Sequence, residues 1–179
     1  MATIVGIEAS GGAILAGDRV LAEGGTVESK HKRHVFDFGD VGAAAVGESG
    51  DIDEFRRRLE SENRTYETER GDPMDVMRFA NVAADIAGEE GVEAIVVARD
   101  NRDVPRVRAI DAEGGILTDE TVAFGSGAQF ALGVLDGATV DIDLPAVEEL
   151  ARDAIEAAAD RDTATGADID TYRLSGDGA

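Results

Sequence analysis

Apolar residues fall along this chain in two periods, and the switches between them divide it into blocks. The first block consists of short runs. Thr3 to Ala9 is rich in β-branched residues, Ser10-Gly11-Gly12 turns the chain, and Ala13 to Asp18 resumes the pattern. Two apolar runs joined by a glycine-rich turn predict a β-hairpin. Lys32–Phe38 and Val41–Val46 predict two further strands, the second built of small residues suited to a crowded interior.

The period then lengthens. Ile52, Phe55 and Leu59 recur at helical spacing behind Asp51, a residue able to cap a helix. Asp72-Pro73 predicts a second helix, with a cap followed by proline at the first helical position. Met74, Met77, Val82, Ala83 and Ile86 supply its apolar stripe up to Gly88, and the two helices are expected to pair antiparallel. Strands return over Glu93–Arg99, Arg106–Asp111, Gly115–Leu117 and Val122–Phe124. Gly125-Ser126-Gly127 leads into a helix with Phe130, Ala131, Val134 and Leu135. Asp143-Leu144-Pro145 opens another, with Val147, Leu150, Ala154, Ile155 and Ala158 on one side. Ile169–Leu174 reads as a closing strand, and residues 175–179 as a short flexible tail.

Strands, two helices, strands, two helices and a strand predict an α+β fold. The expected architecture is a four-layer α/β/β/α sandwich of two stacked antiparallel sheets, in one domain over residues 1–179. The βαβ alternation of a doubly wound parallel sheet is missing.

Composition narrows the chemistry. There is no Trp, with only 2 Tyr and 6 Phe among 179 residues, so the core must come from Val, Ile, Leu and Ala. Asp and Glu number 38 against 17 Lys and Arg, for a net charge of −21. That surplus argues against nucleic-acid phosphates and anionic membranes as partners. Only two of the bases are Lys; an acidic, lysine-poor surface suits high salt, where screening shortens self-repulsion. With no cysteine, disulfides, thiol catalysis and zinc–thiolate sites are excluded. No cofactor and no metal is expected. No run approaches the roughly 18 apolar residues of a membrane span. Met1–Ser10 carries Glu8 and no basic flank, against a secretory signal, so a cytoplasmic protein is expected. One segment departs from the acidic trend. Lys30-His31-Lys32-Arg33-His34 gathers both lysines and both histidines of the chain, an ordinary surface turn or a site for an acidic partner or anion.

Five short motifs occur in order: Thr3-Ile4-Val5-Gly6-Ile7, Leu15-Ala16-Gly17-Asp18-Arg19, Ala45-Val46-Gly47-Glu48-Ser49-Gly50-Asp51, Gly125-Ser126-Gly127, and Arg161-Asp162-Thr163-Ala164-Thr165-Gly166. Together they resemble the β subunits of the 20S proteasome and related N-terminal-nucleophile (Ntn) hydrolases, over residues 2 to about 174. The resemblance implies a threonine-type endopeptidase fold, assembly into rings alone or with other proteasome subunits, and a peptide or protein substrate. It implies that the helix pair from Asp51 to Gly88 forms one assembly face. In the family an N-terminal Thr attacks with its hydroxyl while its α-amine acts as base. A Lys held by an Asp assists, and a Gly N–H stabilises the oxyanion.

Carried over by residue, Asp18 matches the lysine-holding Asp and Gly47 the oxyanion Gly. Ser126, Asp162 and Thr165 match the group around the amine, with Thr165 where Ser is more usual. The two decisive positions depart. The nucleophile position falls on Ala2, which has no hydroxyl, and the lysine position falls on His34. Little or no peptidase activity is therefore expected.

Three rescues are conceivable. Met1 should be trimmed before the small Ala2, and further trimming would expose Thr3, although in a strand its side chain points away from that of Ala2. His34, or Lys32 after a register slip, would stand in for the lysine. Ser126, His34 and Asp18 would imitate a Ser-His-Asp triad only if side chains that the family keeps apart came together. Each motif also has a plain alternative: Ser126 as a helix cap, Gly47 for close packing, Asp18 and Asp162 balancing nearby bases.

Overall fold

The computed structural model describes residues 1–138 and 141–176. Strands β1 (Thr3–Ala9) and β2 (Gly12–Asp18) form the expected hairpin, Ala9 pairing with Gly12 across a two-residue turn. The four-stranded sheet is completed by β10 (Thr121–Gly125) beside β1 and β11 (Ile169–Ser175) beside β2, all antiparallel. The five-stranded sheet runs β5 (Val35–Asp37), β6 (Gly42–Val46), β7 (Glu93–Arg99), β8 (Pro105–Ile110) and β9 (Ile116–Leu117) in that order.

The sheets stack through a layer of small and branched side chains: Ala2, Ile4 and Leu15 from one, Ala44, Ile95 and Val107 from the other. Gly6 permits this approach, since a Cβ there would stand 2.7 Å from Ile95 Cγ2. Helices α1 (Ser49–Arg70) and α2 (Val76–Glu90) cover the outer face of the five-stranded sheet. Helices α3 (Ala128–Asp136) and α4 (Leu144–Ala159) cover Val5, Ile7, Ile14 and Ala16 on the other. The result is the four-layer sandwich that the element order predicts. Among the described residues no helix is long and apolar enough to cross a membrane.

Several local expectations need correction. Helix α1 starts at Ser49, so Asp51 lies in its first turn, where its charge favours the helix dipole, and does not cap. The cap of α2 is Asp75, whose carboxylate accepts from Arg78 N at 2.9 Å, while Asp72-Pro73 stays in the preceding loop. Met77 therefore points to solvent, and the buried stripe is Val76, Phe79, Ala80, Ala83, Ile86 and Ala87. The strand expected from Lys32 shrinks to Val35–Asp37. A two-stranded ribbon, β3 (Leu21–Glu23) and β4 (Thr26–Ser29), was not expected. Ser175 ends β11 and Gly176 N–H donates to the Gly11 carbonyl at 3.0 Å, so the expected tail starts in ordered structure; residues 177–179 lie outside the described residues.

Candidate active site

The site forms where the start of β1 meets the end of β10. Thr3 pairs with Gly125, and at Gly125, with φ of 109°, a Cβ would stand 1.9 Å from the Ala2 carbonyl oxygen. Only glycine fits, and it brings Ser126 and Gly127 against residues 1–3. The strand alternation then sorts the side chains. Ala2 turns its methyl into the inter-sheet layer with Ile4, whereas Thr3 turns toward the helical side, as Val5 and Ile7 do.

Thr3 is fully buried and hydrogen-bonded on all sides. Its N–H donates to Asp18 Oδ1 at 2.7 Å, and its Oγ1 accepts from Gly127 N at 2.9 Å and lies 2.8 Å from Thr165 Oγ1. Thr165 Oγ1 also lies 2.6 Å from Asp162 Oδ2. A carboxylate can only accept, so the Thr165 proton goes to Asp162 and the Thr3 proton to Thr165. The chain is thus directional: Gly127 N–H to Thr3, Thr3 to Thr165, Thr165 to Asp162. Gly127 is small for a reason, because a Cβ there would lie 2.7 Å from Thr3 Oγ1 and 3.0 Å from Thr165 Oγ1.

Asp162 is shared. Ser126 Oγ lies 2.5 Å from its Oδ2 and also contacts the Met1 carbonyl oxygen, and Asp162 Oδ1 accepts from Ala164 N at 3.1 Å. Burial pushes the Asp162 carboxyl up, but the hydrogen bonds from Ser126, Thr165 and Ala164 together hold it below its ordinary value. Ser126 thus serves Asp162; the N-cap of α3 is Gly127.

Asp18 ties three chain segments. Besides Thr3, its Oδ2 accepts from Val20 N and Gly166 N, both at 2.9 Å. Burial raises its carboxyl pKa against the pull of these N–H groups. Asp18 does not balance Arg19, whose guanidinium pairs with Asp170. His34 is buried, with Nδ1 2.9 Å from the main-chain oxygen of Asp18, not from its carboxylate. Burial, aided by Lys32, lowers its pKa. The Ser126–His34–Asp18 triad is therefore not formed. Lys32 does not turn toward Asp18 either: its Nζ contacts Asp53 Oδ1 at 2.6 Å and Ser49 O at 3.3 Å. Gly47 directly follows β6, next to Val46, which shares the inter-sheet cluster with Ala2.

Gly127 and Gly166 contribute backbone N–H groups that sequence reasoning had not assigned, although both lie inside quoted motifs. A cleft of about 380 Å³ opens beside Thr165 and Gly166, walled by Arg19, Val20, Lys30 and, from β4, Val27.

A four-layer sandwich with this polar shell at the start of its first strand defines the Ntn-hydrolase class. The profile of the proteasome subunit family matches residues 1–174. Among curated relatives, "Proteasome subunit beta" of Halomicrobium mukohataei is 34% identical over 181 residues, covering 98% of this chain and 76% of that protein. "Proteasome subunit beta 2" of Thermococcus gammatolerans is 31% identical, covering 92% and 84%. "Proteasome subunit beta 1" of Staphylothermus marinus is 31% identical, covering 98% and 85%. The chain belongs to the proteasome subunit family, among its β subunits.

Proposed function

We propose that this chain is a ring-forming β-type subunit whose own site turns over little or no peptide. One observation carries the reading: residue 2, where the family's nucleophile falls, is an alanine whose methyl is packed between the sheets at 1% exposure. The adjacent hydroxyl does not replace it. Thr3 is inaccessible, with its proton committed to Thr165 and its oxygen to Gly127 N–H. His34, in the lysine position, is a buried imidazole held in its neutral form, so it supplies no cation there. Asp18, Gly47, Ser126, Asp162 and Thr165 are read as a scaffold that outlasts the chemistry. The chain is expected to assemble with copies of itself or with other β-type subunits, in the cytoplasm, with a surface suited to high salt.

A second reading has one observation in its favour: the retained shell is centred on Thr3 itself. Removal of residues 1 and 2 would free the Thr3 amine beside Asp18. Intact mass of the native protein, measured with a fluorogenic-peptide assay, separates the two. A mass for a chain starting at Ala2, with no turnover, supports the first. A Thr3 start with turnover abolished by Thr3→Ala would establish the second.

A further inference from the structure

At the two ends of the five-stranded sheet, the segment leading into β5 is basic and borders the cleft beside Thr165, while the opposite edge strand, β9, is flanked by acids. β5 and β9 are its terminal strands, four spacings or about 19 Å apart. In the segment leading into β5, Lys30, His31 and Arg33 are exposed. Among the described residues none of the three has a carboxylate within ion-pair distance, whereas Lys32 between them is satisfied by Asp53. With 38 acids to 17 bases, neighbouring bases without a carboxylate need a reason. Val27, which walls the same cleft as Lys30, is 41% exposed.

The opposite edge is the counterpart. Glu113, Asp119 and Glu120 are exposed and, among the described residues, form no ion pair. Between them β9 presents Ile116 and Leu117, 38% and 45% exposed, on an open sheet edge. Open edges with apolar side chains invite pairing unless something covers them.

We propose that the acidic β9 rim of one copy docks on the basic rim before β5 of the next. The inference rests on the ring-forming reading and names the surfaces that make it. Charge complementarity selects the occupant: β9 meeting β9, or the basic rim meeting itself, sets like charges together. Because the two patches differ, the contact is head to tail and closes as a ring or runs on as a filament. Val27 against Ile116 and Leu117 gives it an apolar part that survives salt, which shortens the reach of the charges to about 3 Å at 1 M.

The test uses the full chain in two reversed forms, Lys30→Glu/Arg33→Glu and Glu113→Lys/Glu120→Lys. One form carries two acidic edges, the other two basic edges. Sedimentation velocity at about 0.1 M and about 1 M salt reads assembly, and circular dichroism checks that each form is folded. The wild type is expected to assemble, and each reversed form alone to associate at least about a hundredfold more weakly. Mixed one to one, the forms should assemble again, because every acidic edge then finds a basic one. Wild-type assembly with both reversed forms assembling equally well would overturn this contact and leave the ring reading intact. A wild type that stays monomeric at every concentration would overturn the contact between copies and leave the ring reading to assembly with other β-type subunits. Assembly lost in both forms but not recovered on mixing would also overturn the contact.

Discussion

Asp18→Ala is expected to be among the most damaging single substitutions in this protein. The carboxylate is fully buried and accepts three backbone N–H groups, from Thr3 at 2.7 Å and from Val20 and Gly166 at 2.9 Å. A buried donor left without an acceptor costs about 1–3 kcal/mol. Two of the three donors are fully buried and the Gly166 N–H only partly. Removing the carboxylate also relieves its own desolvation, so a net loss of about 3–5 kcal/mol is expected at neutral pH. That is a large share of the roughly 5–15 kcal/mol that holds a folded chain together. Asp18→Asn keeps one acceptor oxygen and should lose less. Urea unfolding followed by circular dichroism, at low protein concentration, should show the Ala variant's midpoint falling by about 1.5–2.5 M with its slope unchanged. The pH dependence has a defined sign. Burial raises the folded carboxyl pKa above its ordinary 3.8, so the folded chain holds this proton more tightly than the unfolded one. The protonation-linked stability is fully present below 3.8 and is lost as pH rises through the folded value. The Asn variant should lack that decline relative to wild type. An Ala variant within about 0.5 kcal/mol of wild type would refute the reasoning, since it would mean that the N–H groups find other partners at no cost.

Three further outcomes follow from the same geometry. Ala2→Thr with His34→Lys restores the hydroxyl and the cation to the retained shell, and fluorogenic-peptide turnover should appear in the double variant but in neither single one; a silent double variant would show that the shell is no longer competent. Gly127→Ala drives a methyl to 2.7 Å from Thr3 Oγ1 and 2.7 Å from the Ala158 methyl, and should cost about 1–3 kcal/mol in thermal unfolding. Adding Thr3→Ala should recover part of that loss, and strictly additive effects would show that the two residues do not touch. His34 is held below its ordinary 6.5 by burial, so its contribution is present above 6.5 and is lost as pH falls toward the folded value; denaturation curves of His34→Gln should show a shallower decline than wild type on that limb.

How much could be read without coordinates depended on where each signal came from. The β1–β2 hairpin was legible because Ser10-Gly11 closes two runs whose apolar residues are buried on both faces. The start of α2 was misread because Asp72 and Asp75 offer the same capping chemistry, and only the bond from Arg78 N selects the second. The β3–β4 ribbon was missed although Gly24 and Gly25 both take the positive φ of a tight hairpin turn, at 58° and 81°. Its second strand, Thr26-Val27-Glu28-Ser29, is largely exposed, so no alternation of burial marks it. Thr3, Asp18, Ser126, Asp162 and Thr165 come together in the structure, but their pairing is not written in the sequence. Thr3 and Thr165 stand 162 positions apart, and which hydroxyl meets which carboxylate depends on strand register. The expectation that Thr3 faces away from Ala2 needed only the twofold repeat of a strand, and it holds.

The pairing of β11 with β2 has a consequence for biosynthesis. The first hairpin emerges from the ribosome with both faces apolar, yet its partner strand spans residues 169–175. The intervening chain supplies the five-stranded sheet and helices α1 to α4, so it can collapse while the hairpin edge is still open. Native pairing of that kind is slow, because the loop that must close is nearly the full length of the chain. The β2 edge of the nascent protein therefore stays unpaired until residues 169–175 have been made, and that interval is when it is most open to wrong pairing.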